Sequence, residues 1–69
     1  MINVNEITLS DFTESGFSVT EAMGLMDTIK SYRMDGNTVT VWLGEMYTTT
    51  KDERYAKAEY AIIEYAAGY

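Results

Sequence analysis

The chain has 69 residues, no cysteine and no histidine, and its eleven acidic side chains against five basic ones give a net charge of −6. The missing residue types exclude disulfides, zinc sites of the usual kind, cysteine nucleophiles and histidine-based acid–base catalysis. The negative charge disfavours direct binding to nucleic acid or to anionic membrane surfaces, and it favours a protein partner with a basic surface.

Size and composition predict one domain, residues 1–69, with no cofactor. The first residues lack the basic end and the long apolar run of a signal peptide, and no stretch approaches the length of a membrane span. The sequence therefore predicts a cytoplasmic protein. Because a domain this small buries only about 60 % of the surface that its unfolded chain exposes, we expect support from oligomerisation or from unusually good packing.

The first segment, residues 2–9, alternates apolar and polar residues with one change of phase. This pattern predicts an edge strand with a bulge. Residues 10–16 are mostly polar, carry Phe12 and end in Gly16, which predicts a loop or a single helical turn.

A helix is predicted over residues 19–33. Ser18 and Glu21 form a capping box, and apolar residues then recur at spacings of three and four. The segment Asp35-Gly36-Asn37 is predicted to end this helix, because Gly36 can adopt a positive φ. The alternative is a strand over residues 30–34 followed by a hairpin turn at Asp35-Gly36.

Residues 38–49 are predicted to form a β-hairpin. The first strand alternates, with apolar side chains on one face at Val39, Val41 and Leu43. Gly44-Glu45 suits a tight turn with glycine first, and residues 46–49 return as the partner strand. In that register Trp42 lies opposite Tyr47.

The strongest helix signal covers residues 51–67 and opens with a second capping box, from Thr50 to Glu53. This helix carries two apolar stripes. One stripe comprises Tyr55, Ala58, Ile62, Tyr65 and Ala66, and the other comprises Ala56, Tyr60, Ile63 and Ala67. The predicted fold class is therefore α+β, in the order β-α-β-β-α, with two helices packed on a short antiparallel sheet.

The sequence contains no motif for a cofactor or for catalysis. Asp35-Gly36-Asn37 resembles part of a calcium loop but lacks the later ligands and the closing glutamate, so a turn is the better interpretation. Two carboxylates could act as acid and base only in a cleft that separates their pKa values. A chain of this size rarely builds such a cleft, and the sequence therefore predicts a protein that is not an enzyme.

Two sets of residues are candidates for binding a partner protein. One is the acidic run before the first basic residue, which could imitate the phosphates of a nucleic acid: Glu6, Asp11, Glu14, Glu21 and Asp27. The other is the aromatic pair Trp42 and Tyr47, which would form an interface hot spot if their face of the hairpin is open. The alternatives are a solvated charged surface for the run and core packing for the pair.

The second apolar stripe of the last helix predicts a homodimer or a higher oligomer. A single small domain covers one stripe easily, whereas covering both suggests a sheet on one side and a second molecule on the other. The predicted oligomer interface comprises Tyr55, Tyr60, Ile62, Ile63 and Tyr65. The alternative is that the alanines of this helix simply tolerate exposure.

In its size, acidity and lack of cysteine the chain resembles the short inhibitors that phages encode against host nucleases, including anti-CRISPR and anti-restriction proteins. The resemblance rests on size and charge, covers no motif and carries over no site residue. It implies an inhibitor of a nucleic-acid-handling protein or complex. The alternative hypothesis is a small oligomeric structural or regulatory protein, such as a virion component or an antitoxin-like partner.

Overall fold

The computed structural model describes residues 3–66, and the side chains of residues 3–64. No strand occurs between residues 3 and 66, so the predicted α+β fold with its antiparallel sheet is wrong. After a 3₁₀ turn at Val4–Glu6 come four helices: α1 (Leu9–Thr13), α2 (Val19–Ser31), α3 (Gly36–Thr50) and α4 (Glu53–Ala66). None of these helices is long and apolar enough to cross a membrane.

The 3₁₀ turn and the start of α1 replace the predicted first strand. The side chain of Asn3 accepts a hydrogen bond from the backbone N–H of Asn5 at 3.0 Å, and the Asp11 carboxylate accepts one from the backbone N–H of Thr8 at 2.8 Å. Such local bonds between side chain and backbone favour turns and helix starts over an extended strand. Phe12 lies on α1 and is fully buried. Of the two predictions for residues 10–16, the helical turn is confirmed.

Helix α2 confirms the helix that was predicted over residues 19–33, with its end at Ser31. The capping box is formed: the N–H of Glu21 donates to Ser18 Oγ, and the N–H of Ser18 donates to Glu21 Oε1, both at 3.1 Å. The left-handed residue that ends α2 is Arg33, with a φ of 50°, and not the predicted Gly36. The N–H of Met34 then donates to the carbonyl of Ile29 at 3.0 Å, which closes the helix end.

The hairpin predicted over residues 38–49 is wrong, because the whole segment lies within α3. Asp35 begins this helix by accepting a hydrogen bond from the N–H of Thr38 at 2.7 Å. The segment predicted to end one helix therefore begins the next. Val39 and Leu43 are fully buried while Val41 is 60 % exposed. A strand would place all three on one face, whereas a helix places residues 39 and 43 one turn apart and directs Val41 elsewhere.

The capping box predicted at Thr50 is also wrong. Thr50 is the last residue of α3, and its hydroxyl donates to the carbonyl of Met46 at 2.7 Å. The side chain of Asp52 instead accepts the N–H of Arg54 at 3.0 Å, at the start of α4. Between the two helices Lys51 adopts a left-handed φ of 60°. The helix predicted over residues 51–67 is confirmed for Glu53–Ala66, and residue 67 lies outside the described part of the chain.

The core lies where the four helices meet. Helices α3 and α4 pack against each other, and α1 packs against both α2 and α4. The Phe17 ring contacts aromatic rings from two helices, Phe12 of α1 and Tyr55 of α4. Its centre lies 6.3 Å from that of Phe12 and 5.0 Å from that of Tyr55, and each pair is packed edge to face. The buried core residues are Ile7, Phe12, Phe17, Ala22, Ile29, Val39, Leu43, Ala58 and Ile62.

Candidate protein-binding surface

Exposed apolar side chains are concentrated on the α3–α4 pair. Among the described side chains, seven large hydrophobic ones are exposed, and four of them lie on these two helices. Their exposed fractions are 60 % for Val41, 38 % for Tyr47, 63 % for Tyr60 and 45 % for Ile63. Because scattered single apolar residues are normal on any surface, what matters is whether these four are adjacent.

Two shallow grooves connect three of these side chains, Val41, Tyr47 and Tyr60. Val41 and Tyr47 line a groove that Glu59 borders on the α4 side. Tyr47 also lines a second groove, together with Tyr60. Ile63 follows Tyr60 by three residues, which makes the two neighbours on the surface of α4. The result is a continuous face on the helical hairpin that α3 and α4 form. We call it the hairpin surface and define it by Val41, Glu45, Tyr47, Glu59, Tyr60 and Ile63.

The position of Glu59 depends on the glycine at residue 44. A Cβ atom at Gly44 would lie 2.7 Å from Glu59 Oε2, so the missing side chain leaves room for the carboxylate against α3. Glu45 lines the same groove. The apolar side chains of the hairpin surface are therefore bordered by these two carboxylates, and Glu53 and Lys57 line the second groove beside Tyr47 and Tyr60.

Tyr60 gives the hairpin surface a polar group as well as an apolar ring. Its pKa is raised because its hydroxyl is hydrogen-bonded to the side chain of Glu64, whose negative charge adds to the effect. Like an ordinary tyrosine, it is protonated at neutral pH. An exposed tyrosine in this state can bury its ring against a partner while its hydroxyl keeps a hydrogen bond.

The predicted acidic run divides into residues with and without a local role. Glu6, Glu14 and Asp27 are exposed. The Asp11 carboxylate caps α1 through Thr8. Glu21 has no basic neighbour in sequence, but the fold places Arg54 beside it, and the pKa of Glu21 is lowered, first by its hydrogen bond from the Ser18 N–H.

The predicted aromatic pair is separated in the structure. Residues five apart on a helix point in different directions, so Trp42 and Tyr47 do not face each other as they would in a hairpin. Trp42 is half-buried and packs against the core, whereas Tyr47 is exposed. The cross-strand pairing of these two residues is therefore wrong, and Tyr47 alone belongs to the hairpin surface.

The predicted oligomer interface divides in the same way. Ile62 is buried, and Tyr55 is half-buried and packs against the core. Tyr60 and Ile63 are exposed, as the second stripe of the last helix would place them. The side chain of Tyr65 lies outside the described side chains.

Sequence reasoning missed Val41, Glu45 and Glu59 as members of this surface. Had residues 36–50 been interpreted as a helix, the i, i+4 spacing of Val41 and Glu45 would have placed them on one face. Within residues 3–66 no group of histidine, cysteine, aspartate or glutamate is arranged to hold a metal ion. Comparisons with protein-family models, with curated proteins and with solved structures found no match to this chain.

Proposed function

We propose that this protein acts by binding another protein rather than by catalysis, and that it docks through the hairpin surface. The observation that carries the proposal is the exposure of Val41, Tyr47, Tyr60 and Ile63 on one continuous face of α3 and α4. Tyrosine is enriched among the residues that dominate interface energetics, because its large ring is rigid and also carries a polar group.

The charge of this face indicates the kind of partner. Glu45 and Glu59 border the apolar side chains, and the chain as a whole carries a net charge of −6. A partner with an apolar contact area and basic residues around it would complement both features. The narrower hypothesis, an inhibitor of a nucleic-acid-handling protein in the cytoplasm, rests on the sequence and stays a prediction.

A homodimer is the second candidate, since Tyr60 and Ile63 belong to the predicted oligomer interface and are exposed. In a two-fold dimer each surface contacts its own copy. The two grooves of each copy are lined by three carboxylates, Glu45, Glu53 and Glu59, and by one cation, Lys57, so a self-contact would leave more carboxylates than cations can pair with, and these would repel one another. This repulsion favours a different protein as the partner.

The proposal is tested with surface variants that should not disturb folding. A protein captured from a lysate of the source organism is purified, and its affinity for each variant is measured by calorimetry. Combining Tyr60→Ala with Ile63→Ala should weaken binding at least about tenfold, as loss of hot-spot side chains does. Tyr32→Ala is the matched control, because Tyr32 is 76 % exposed but lies outside the hairpin surface.

Equal affinity of the double variant and the Tyr32 control would contradict the proposal. Sedimentation equilibrium separates the two candidates. A different protein as partner predicts a monomer in isolation. A wild-type dimer that dissociates in the double variant would instead assign the hairpin surface to self-association.

A further inference from the structure

A third groove lies away from the hairpin surface, between the 3₁₀ turn and the end of α2. Its apolar lining includes Val4, Met26 and Met34, which are half-buried and pack against the core. Its volume is about 450 Å³, within the range of sites that accept ligand groups. Methionine is flexible and polarisable, and is common on surfaces that adapt to apolar partners. We call this the methionine groove.

The polar rim of the methionine groove is basic, in a chain that is otherwise acidic. Lys30 and Arg33 line it, and these are two of only five basic residues in the sequence. Within residues 3–64 the ion pairs involve Arg54, and neither Lys30 nor Arg33 takes part in one. Among the residues that line the groove in the described part of the chain, Asp27 is the acidic one, and it precedes Lys30 by about one helical turn. The rim therefore carries two cations without a partner in the described structure.

Arg33 occupies a position that suits glycine better. Its φ of 50° is left-handed, a conformation that strains any residue with a Cβ. The helix dipole favours a cation near a helix C-terminus, which explains a basic residue in this region. It does not explain why this basic residue, and not a glycine, occupies the left-handed position. Strained residues are often found where a side chain is needed for binding.

We propose that the methionine groove binds an acidic, apolar segment of a partner protein. An apolar side chain of that segment would lie on Val4, Met26 and Met34, and neighbouring carboxylates would pair with Lys30 and Arg33. The basic rim of the groove and the acidic segment are complementary in charge. The charge of the groove's rim is opposite to that of the hairpin surface, so the two sites select different partners. The proposal for the groove therefore does not depend on the proposed function.

A second copy of the chain is the other candidate occupant, since the hairpin surface also combines carboxylates with apolar side chains. Two copies that each carry a net charge of −6 repel each other at long range more strongly than one copy repels a segment with only the few carboxylates that pair with Lys30 and Arg33. We therefore assign the groove to a different protein and let the experiment exclude the copy.

The test uses a dye-labelled helical peptide that presents leucines on one face and glutamates around them. The matched probe replaces each glutamate with lysine, and a third peptide replaces each leucine with alanine. Fluorescence anisotropy should show that only the leucine–glutamate peptide binds the wild-type protein. The variant Lys30→Glu with Arg33→Glu should bind it at least about tenfold more weakly.

The matched control is Lys51→Glu with Lys57→Glu. It changes the net charge by the same amount as the groove variant, but it leaves the lining of the methionine groove unchanged. Equal binding by the control and the groove variant would overturn the proposal, because the effect would then follow net charge. Failure of the leucine–glutamate peptide to bind at millimolar concentration would also overturn it. Circular dichroism verifies that each variant is folded. A wild-type oligomer that dissociates in the groove variant, seen by sedimentation equilibrium, would assign the groove to a second copy instead.

Discussion

Arg54 and Glu21 are 33 residues apart in sequence, yet Nη1 of Arg54 lies 3.2 Å from each carboxylate oxygen of Glu21. The same guanidinium donates through Nη2 to Asp52 Oδ2 at 2.6 Å and lies 4.7 Å from the centre of the Phe17 ring. The hydrogen bonds to Asp52, with its charge and that of Glu21, raise the pKa of Arg54. One side chain thus joins the start of α4 to the start of α2.

Glu21 has two roles in this arrangement, since it also closes the capping box with Ser18. We predict that Glu21→Gln lowers the free energy of unfolding at pH 6, because glutamine can keep the capping bond but not the charge. The pKa of Glu21 is lowered in the folded chain. Its stabilising effect is therefore fully present above the ordinary carboxyl pKa and is lost as the pH falls through the lower folded value.

Urea unfolding at several pH values measures this. The difference between wild type and Glu21→Gln should be present at pH 6 and should be lost as the pH falls through the lowered pKa of Glu21 in the folded chain, below which the carboxyl is protonated in both states. Glu14→Gln, which removes an exposed carboxylate elsewhere, is the control and should not reproduce the pattern. A difference that stays constant across this range would mean that charge is not the cause.

Gly44 distinguishes the helix from the hairpin that the sequence suggested. We predict that Gly44→Ala raises the free energy of unfolding by about 0.5 to 1 kcal/mol, because alanine is the better helix former. The nearest atom to the new methyl group is the end of the flexible Glu59 side chain, which can move. In a tight turn with glycine first, the same change would destabilise the protein, since that position needs a positive φ.

The control for this prediction is Gly24→Ala. Gly24 lies in α2, and a Cβ there meets no atom within 4 Å, so the stabilisation should be similar. Thermal unfolding measures both variants. Destabilisation by Gly44→Ala together with stabilisation by Gly24→Ala would contradict the helix at residues 36–50.

Val41 and Leu43 share one face of a strand but not of a helix. Leu43 is fully buried and Val41 is 60 % exposed. Leu43→Ala should therefore lower the free energy of unfolding by about 2 to 5 kcal/mol, as cavities in a core do. Val41→Ala should change it by no more than about 0.5 kcal/mol. Similar losses in urea unfolding of the two variants would place both side chains in the core, against the structure.

Local signals predicted α2 and α4, and tertiary packing decided α3. The Ser18–Glu21 box and the stripe that follows it are complete within one segment, so sequence alone identified α2. In α3 the valines and threonines favour a strand, and the alternation at Val39, Val41 and Leu43 agrees with it. The same segment also carries apolar residues at helical spacing, and burial of Val39 and Leu43 between the helices settles the choice.

The candidate surface was predictable from the sequence mainly for residues on α4, a helix that local signals identified. Tyr60 and Ile63 come from α4, whose second stripe could be recognised in sequence. Val41, Glu45 and Glu59 were missed because their grouping requires α3 to be a helix packed along α4. The pairing of Glu21 with Arg54 was also hidden, since it joins residues from two helices that only the fold brings together.

The central claim is that α3 and α4 present the docking surface, and NMR mapping with the purified partner tests it most directly. The amide signals of the ¹⁵N-labelled protein are followed while unlabelled partner is added. We predict that the largest shifts occur around Val41, Tyr47, Tyr60 and Ile63. Shifts confined to the acidic segment from Glu6 to Glu14, with the α3 and α4 signals unchanged, would contradict the claim.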